Sequence, residues 1–303
     1  MAALPKLAVE DCRNFYAQEI RWVANLSSPA LVGALARVPR ENFLGPPPWH
    51  IGSADQRAMS LMGAVKMNYT ATEDPRDLYH NVLVAIDIAK DINNGQPSAL
   101  ARWIDALELK PGDRAYHLGC GVGYYTALIA EVVGPTGSVV GIDFDANLAP
   151  RAKEKLTVYP YGEIHAGDGA SFDPGDCDAM LVNAGVTHPR PLWLDRLREG
   201  GRLVLPITMA TTPTIGQGVM IKITRRGNSY GVDTVTPLAI FSGVGMRDPL
   251  LEPLMQKALT TGGLLRLKSV RRDAHEATDT CVLHGQEVCL STADSAATHQ
   301  AAV

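Results

Sequence analysis

Apolar residues recur at helical spacing over residues 9–25 (VEDCRNFYAQEIRWVAN), which predicts an N-terminal helix. A second helix is predicted from Pro29 to about residue 36, with Ser28 as its N-cap and Pro29 in its first turn. Residues 38–52 (VPRENFLGPPPWHIG) break the pattern with four prolines. A third apolar-periodic helix is expected over 78–92, a turn at Asn93-Asn94-Gly95-Gln96-Pro97, and a fourth helix over 98–107. Beyond 114 short apolar runs alternate with helical ones. Strands are expected at 115–118, 138–142, 161–166, 178–183 and 201–206, and helices at 124–133, 146–156 and 189–197. Repeated β-α-β predicts a Rossmann-like α/β fold whose sheet is mostly parallel and covered on both faces. After 219 the runs VMIKITRR, SYGVDTV and PLAIFSG are strand-like, with a hairpin signal at Arg226-Gly227-Asn228, so antiparallel edge strands are expected. Two more strands are expected around His284-Gly285. This reading divides the chain into a helical N-terminal cap (1–107), a ligand-binding α/β domain (108–235), a C-terminal β extension (236–292) and a small, polar, disordered tail (293–303).

Composition narrows the functional classes. The chain has 303 residues, 46% apolar and 20% charged, with a formal net charge of −4. That is ordinary for a globular protein and leaves no basic footprint for nucleic acid. No signal-peptide pattern and no apolar run near the ~18 residues of a membrane span is found, so a cytoplasmic location is expected. The five cysteines (Cys12, Cys120, Cys177, Cys281, Cys289) are scattered and include no C-x-x-C pair, so neither a disulfide framework nor a metal site is expected. The methionines at 59, 62 and 67 are read as core or loop filling.

The chemistry concentrates between residues 114 and 143 (RAYHLGCGVGYYTALIAEVVGPTGSVVGID). A strand ends in Gly119, Cys120, Gly121 and Gly123, a helix follows, and a second strand ends in Asp143, 20 residues beyond Gly123. This is a nucleoside-binding β-loop-α-β unit, with the acid placed to take the two hydroxyls of a ribose. A dinucleotide loop would need Gly or Ala where Tyr124 or Thr126 stands, and a phosphate loop would need Gly-Lys-Ser/Thr. Neither is present. The G-x-G-x-G spacing suits a nucleoside that carries an amino acid in place of phosphates, which is S-adenosylmethionine. Tyr125, in the first helical turn, is placed to cover that donor.

Several blocks then occur in an order that resembles the protein-L-isoaspartate O-methyltransferases: VPRENF, GCGVGYYTALIAEVVG, GID, GDG, CDAMLVNAG, LREGGRLVLPI and KITRRGNSYGVDTV. The resemblance covers roughly residues 27–235. It implies a class I methyltransferase that uses S-adenosylmethionine and releases S-adenosylhomocysteine. It also implies that Gly119, Gly121 and Gly123 approach the methionine and ribose, that Asp143 holds the ribose, that Asp168 and Gly169 meet the adenine, and that Asn183 lies beside donor and acceptor. The sequence departs from the family in two places. The family's Thr-x-Ser-Gln-Pro segment, whose hydroxyls meet the isoaspartyl carboxylate, reads here as Asn93-Asn94-Gly95-Gln96-Pro97. His117 stands where an acid usually precedes the glycine loop. Some 20 extra residues, 69–91, also precede the altered segment.

A carboxylate is nucleophilic at neutral pH, and its methylation needs alignment and exclusion of water more than a base. Asn93, Asn94, Gln96 and Ser98 are the candidate acceptor-holding residues. A phenol or amine acceptor would need a base, and His117, beside the glycine loop, is the first candidate, followed by His80, His165 and His188. The altered segment, with residues 69–91 folded over the site to narrow it, leads to the expectation of a small organic acid as preferred acceptor. A peptide carboxylate, true isoaspartyl repair and non-catalytic donor binding stay open.

Overall fold

The computed structural model describes residues 7–61 and 67–295, with the side chains at 58, 59 and 61 outside that description. Met62, the side chain of Met59 and residues 296–303 of the expected tail therefore lie outside the described residues. The N-terminal part consists of α1 (Val9–Val23), α2 (Pro29–Arg37), β1 (Trp49–Gly52), α3 (Ala54–Leu61), β2 (Thr70–Thr72), β3 (Leu83–Asp87), β4 (Ile92–Asn93) and α4 (Pro97–Asp105). The Ser28 hydroxyl accepts from Leu31 N–H at 3.2 Å, the cap expected from sequence. Residues 78–92 correct the reading of a helix. They form β3 and β4, which complete a four-stranded antiparallel sheet in the order β2-β1-β3-β4. The run LVAIDIAKDI satisfies either period over so short a length, and tertiary contacts decide. Val84 packs with Leu44, Trp49 and Leu78. The buried Arg40 guanidinium donates to the carbonyls of Leu78 (2.7 Å) and Val82 (2.9 Å), which holds the chain extended on its way into β3. The cap is therefore helical and sheet in turn.

The α/β part runs β5 (Arg114–Leu118), α5 (Tyr124–Val133), β6 (Ser138–Asp143), α6 (Leu148–Lys155), β7 (Gly162–Ala166), β8 (Cys177–Val182), α7 (Pro191–Arg196), β9 (Leu197–Ala210), β10 (Ile215–Arg226), β11 (Ser229–Phe241), α8 (Glu252–Thr260), β12 (Ser269–Arg271), β13 (Cys281–His284) and β14 (Cys289–Ser291). One ten-stranded sheet results, in the order β13-β14-β12-β11-β10-β9-β8-β5-β6-β7. The strands β7, β6, β5, β8 and β9 are parallel, and every later pairing is antiparallel. SYGVDTV and PLAIF are a single strand, β11, with a bulge at Val235 where the register on β10 shifts. The boundary expected at 235 thus falls inside a strand.

Two cores flank this sheet. One gathers α1, α2, α4, α5 and α6 side chains with Ala115 of β5, so the N-terminal helices share a core with the nucleoside-binding unit. The other gathers Tyr116, Leu118 and Met180 with Trp193, Met255 and Leu290. The alternation of Ala115 against Tyr116 and Leu118 is the strand period of two. The helix α5 is buried on nearly every side, as its largely apolar circumference requires. Residues 293–295 do not begin a loose tail. Ala293 O accepts from Ser269 Oγ at 2.7 Å, and Lys268 pairs with Asp294 at 3.4 Å.

Candidate active site

The strand ends β5, β6, β7 and β8 lie side by side, and their carboxyl ends carry the loops that sequence reading singled out. Gly119 and Gly121 have φ of +76° and +56°. A Cβ on Gly119 would stand 2.9 Å from the Asn183 carbonyl oxygen, whereas one on Gly121 would meet nothing within 4 Å. The first glycine is required by the protein's own packing. The second faces open space, as a loop must if a ligand is to lie against its backbone. Gly123, at φ +90°, caps α5 and packs toward Ala152 and Leu156.

Asp143 ends β6. Its carboxylate accepts from Gly121 N–H at 2.7 Å and from Asp145 N–H at 2.9 Å, and so fixes the glycine loop. Burial raises its pKa above the ordinary carboxylate value, against the lowering effect of these two bonds. Gly167 N–H donates to Asp143 O at 2.9 Å, which sets the Gly167-Asp168-Gly169 turn beside it. Asp168 is exposed, and its carboxylate accepts from Ala170 N–H and Ser171 Oγ. Gly169 is buried, and its carbonyl accepts from Tyr116 Oη (3.2 Å) and Trp193 Nε1 (3.3 Å). Asn183, just past β8, donates from Nδ2 to Gly119 O at 3.2 Å.

A cavity of about 830 Å³ opens next to this row. That is within the ~300–1,000 Å³ usual for small-molecule sites. Gly119, Cys120, Gly121, Tyr125 and Asn183 line one side, and Asn93, Asn94, Gln96 and Ser98 the other. Tyr125 joins the two sides, since its hydroxyl donates to Gly95 O at 3.4 Å. Gly123, Asp143, Asp168 and Gly169 lie outside the cavity wall. The asparagines differ in how they are used. Asn93 Oδ1 accepts from Gly95 N–H at 2.9 Å, and Gln96 Nε2 donates to Ser98 Oγ at 3.1 Å. Asn94 is buried and its Nδ2 has no partner among the described residues.

His117 does not belong to this wall, which corrects its reading as a candidate base. Its side of β5 faces α5, where Nδ1 meets Thr126 Oγ1 at 2.9 Å, and the residue is fully buried. Burial pushes its pKa down to about 3, so the ring is neutral at any physiological pH. His80, His165 and His188 also lie outside the wall.

Sequence reading missed the cations and the far wall. Arg57 of α3 lines the cavity, ion-paired to Asp91 and lying 5.7 Å over the Phe241 ring. Arg102 of α4 lines it too, with no ion pair among the described residues. Its signal was one helical turn away, because Ser98 and Arg102 are four residues apart on one helix face. Residues 236–241 of β11 complete the wall. The wall includes two arginines but no aspartate, glutamate, histidine or lysine. Its other titratable groups, Cys120 and Tyr125, have pKa values raised by burial.

The donor set fits a nucleoside joined to an amino acid. There is an open glycine backbone beside the cavity, a carboxylate one strand over and a turn with a second carboxylate one strand beyond. No helix among the described residues is long and apolar enough to cross a membrane.

Known proteins resemble this chain in sequence and in fold. The family described as protein-L-isoaspartate(D-aspartate) O-methyltransferase matches residues 50–241. A protein-L-isoaspartate O-methyltransferase of Ignicoccus hospitalis is 31% identical over 173 residues, 54% of this chain and 79% of that one. One from Rhodopseudomonas palustris is 31% identical over 209 residues, 65% and 72% of the two chains. A solved protein-L-isoaspartate O-methyltransferase superposes with a TM-score of 0.60 at 20% identity, covering 79% of this chain and 69% of its own. A Plasmodium falciparum structure, described as a putative member in complex with S-adenosyl-L-homocysteine, superposes at 0.54 and 19% identity, covering 76% and 97%.

Proposed function

The chain belongs to the protein-L-isoaspartate O-methyltransferase family and is an S-adenosylmethionine-dependent O-methyltransferase; from that premise we propose that its acceptor is a carboxylate carried on a peptide. When bound, the donor supplies an electrophilic methyl group on a sulfonium. The observation that carries the proposal is the cavity wall itself, which has two guanidinium groups and no side chain able to take a proton near neutrality. An amine or phenol acceptor would have to lose a proton there, and nothing in the wall receives it. A carboxylate arrives already ionised, and cations favour it.

In this reading the backbone of Gly119 and Gly121 lies against the donor's amino-acid and ribose portions. Asp143 accepts from the ribose hydroxyls on lone pairs its backbone bonds leave free. Asp168 accepts from the adenine amine, Gly169 gives the base room, and Asn183 holds the loop from below. Asn94 Nδ2 and Arg102 take the acceptor carboxylate. Asn93, Gln96 and Ser98 shape the turn that presents Asn94, and Tyr125 fixes that turn relative to the donor. Catalysis is then alignment in a site whose apolar lining excludes water.

A sheet edge at the cavity wall, unpaired among the described residues, favours a peptide over a free small acid. The segment 69–91 contributes Leu83 and Ile86 to one wall. From Asp233 to Ile240 the edge of β11 away from β10 has no strand partner among the described residues, so it offers backbone groups to an extended chain. Asn93 Oδ1 and one Gln96 N–H are already used within the turn, and the segment lacks the hydroxyls the family uses there, so isoaspartyl and aspartyl carboxylates should be discriminated weakly. The test is a competition at matched concentrations among aspartyl peptide, isoaspartyl peptide and small dicarboxylic acids, read as base-labile methyl ester. Peptide esters should dominate, with isoaspartyl favoured by less than about tenfold. Faster esterification of a small acid would replace the peptide reading. A strong isoaspartyl preference would restore repair as the function, and base-stable product on an amine would end the carboxylate premise. No product from any acceptor, with donor bound, would point to a binding protein.

A further inference from the structure

At the opposite edge of the sheet from β7, four side chains with metal-ligand chemistry converge. His275 lies in the loop between β12 and β13, Cys281 opens β13, His284 closes it, and Cys289 opens β14. One ligand atom from each lies within 4.8 Å of the other three. We propose that these residues form a Cys2His2 site for a structural zinc ion, although the sequence, without a C-x-x-C pair, led to the expectation of no metal.

The local structure is arranged for convergence. Residues three apart on a regular strand point to opposite faces, which would separate Cys281 from His284. A bulge at Val282 removes one step from the register, so Cys281 pairs with Ser291 and His284 with Cys289. Cys281 and His284 then share a face, and Cys289 sits directly across from His284. The loop returns His275 over the same face, with its ring 4.7 Å from that of His284 and nearly perpendicular to it.

The hydrogen bonds leave the right atoms free. His275 Nδ1 lies 2.8 Å from Asp273 O, so this nitrogen carries the proton and Nε2 presents its lone pair. Nε2 is 3.5 Å from Cys281 Sγ. Zinc bonds of about 2.3 Å to sulfur and about 2.0–2.1 Å to nitrogen in a tetrahedron place neighbouring ligands roughly 3.3–3.8 Å apart. Thr278 N–H donates to Cys281 Sγ at 3.3 Å, which suits a sulfur carrying negative charge. His284 Nδ1 is buried and has no partner among the described residues. A Cys281–Cys289 disulfide is the competing use of the two sulfurs, but it leaves both imidazoles unexplained.

The site also answers a structural need. The strands β12, β13 and β14 have three or four residues each, too short to hold an edge by pairing alone. An ion bound by β13, β14 and the loop that leads from β12 ties that edge together, and its binding energy becomes folding energy. None of the four residues lines the cavity, so the role of the ion is not in the chemistry of methyl transfer.

The test is the zinc content of the full chain purified under reducing conditions from zinc-supplemented cells. Mass spectrometry of the metal, and release to a chromogenic chelator by a mercurial, should each give about one zinc per chain. Replacement by Co2+ should give the visible bands of a tetrahedral ion with thiolate charge transfer in the near ultraviolet. His275→Ala, on an exposed loop, should weaken zinc by more than the about 10–100-fold that loss of an outer-shell partner costs and alter the cobalt spectrum. Cys12→Ser, in α1, should change neither. A chelator should lower the unfolding temperature of the parent chain and not that of a Cys281→Ser/Cys289→Ser variant. Folded, reduced protein that takes up no zinc on titration would overturn the proposal. So would a zinc affinity in His275→Ala equal to that of the parent chain, or a Cys281–Cys289 disulfide in protein alkylated directly in lysate.

Discussion

Gly121→Ala separates the cost to the fold from the cost to the donor site. The added methyl meets nothing within 4 Å, so it creates no clash inside the protein. What remains is the backbone, held at φ +56°, where an L-residue costs about 1–2 kcal/mol. Part of that is offset because alanine lowers the entropy of the unfolded chain, by about 0.4–1 kcal/mol. The net destabilisation is roughly 0.5–1.5 kcal/mol, a fall in Tm of a few degrees at most. The donor-bound state has no such latitude. If the donor lies against this backbone, the methyl occupies its space, and affinity should fall at least about tenfold, or 1.4 kcal/mol. Gly119→Ala is the contrast. Its Cβ would stand 2.9 Å from Asn183 O and 3.2 Å from Asn183 C, so a second strand end must shift. Overpacking of that kind costs about 1–3 kcal/mol on top of the strain. The assays are thermal unfolding without ligand and calorimetric titration with S-adenosylmethionine. A Gly121→Ala protein that binds the donor like the parent chain refutes the placement of donor against this glycine. One that unfolds as badly as Gly119→Ala refutes the open-space argument.

Asp143→Ala should weaken donor binding by at least about tenfold, since charge-assisted bonds contribute roughly 1.5–3 kcal/mol each; calorimetry on the folded variant checks it. Because burial raises the Asp143 pKa, donor affinity should fall on acidification at a pH above the usual carboxylate range. The linked stability term has the opposite sense. Burial favours the protonated form, so this group's contribution to folding is greatest at low pH and is lost as pH rises through the raised value, and Asp143→Asn should flatten that part of a pH–stability curve. Arg102→Ala and Asn94→Ala should each raise the acceptor KM about tenfold while leaving donor affinity unchanged; a shift in donor binding instead would move these residues to the donor side. Arg40→Ala should cost about 2–4 kcal/mol in urea unfolding, because Leu78 O and Val82 O would lose their buried donor.

The nucleoside-binding unit was legible because its determinants are local. Strand, glycine loop, helix and acid occupy residues 114–143, and each depends on backbone freedom or on a period read over a few residues. The change from parallel to antiparallel pairing near β9 was legible too, because β-branched runs joined by an Arg-Gly-Asn turn have no helix between them to make a crossover.

Other features depended on contacts between distant segments. The LVAIDI run became strand because Leu78, Trp49 and the Arg40 guanidinium were waiting for an extended chain, and propensity over six residues cannot outweigh such burial. His117 alternates correctly along β5, yet only the packing of α5 onto that face turned a candidate base into a buried neutral ring. The cavity's cations come from α3 and α4 and its far wall from β11, segments separated by more than 130 residues. The His275, Cys281, His284 and Cys289 cluster has unremarkable spacing and exists only because a one-residue bulge brings three of its members to one face. Short-range periodicity determines which elements form and where a backbone can bend. Which side chains meet is decided by the register and packing of elements remote in sequence, because burial energy is gained only when distant surfaces come together.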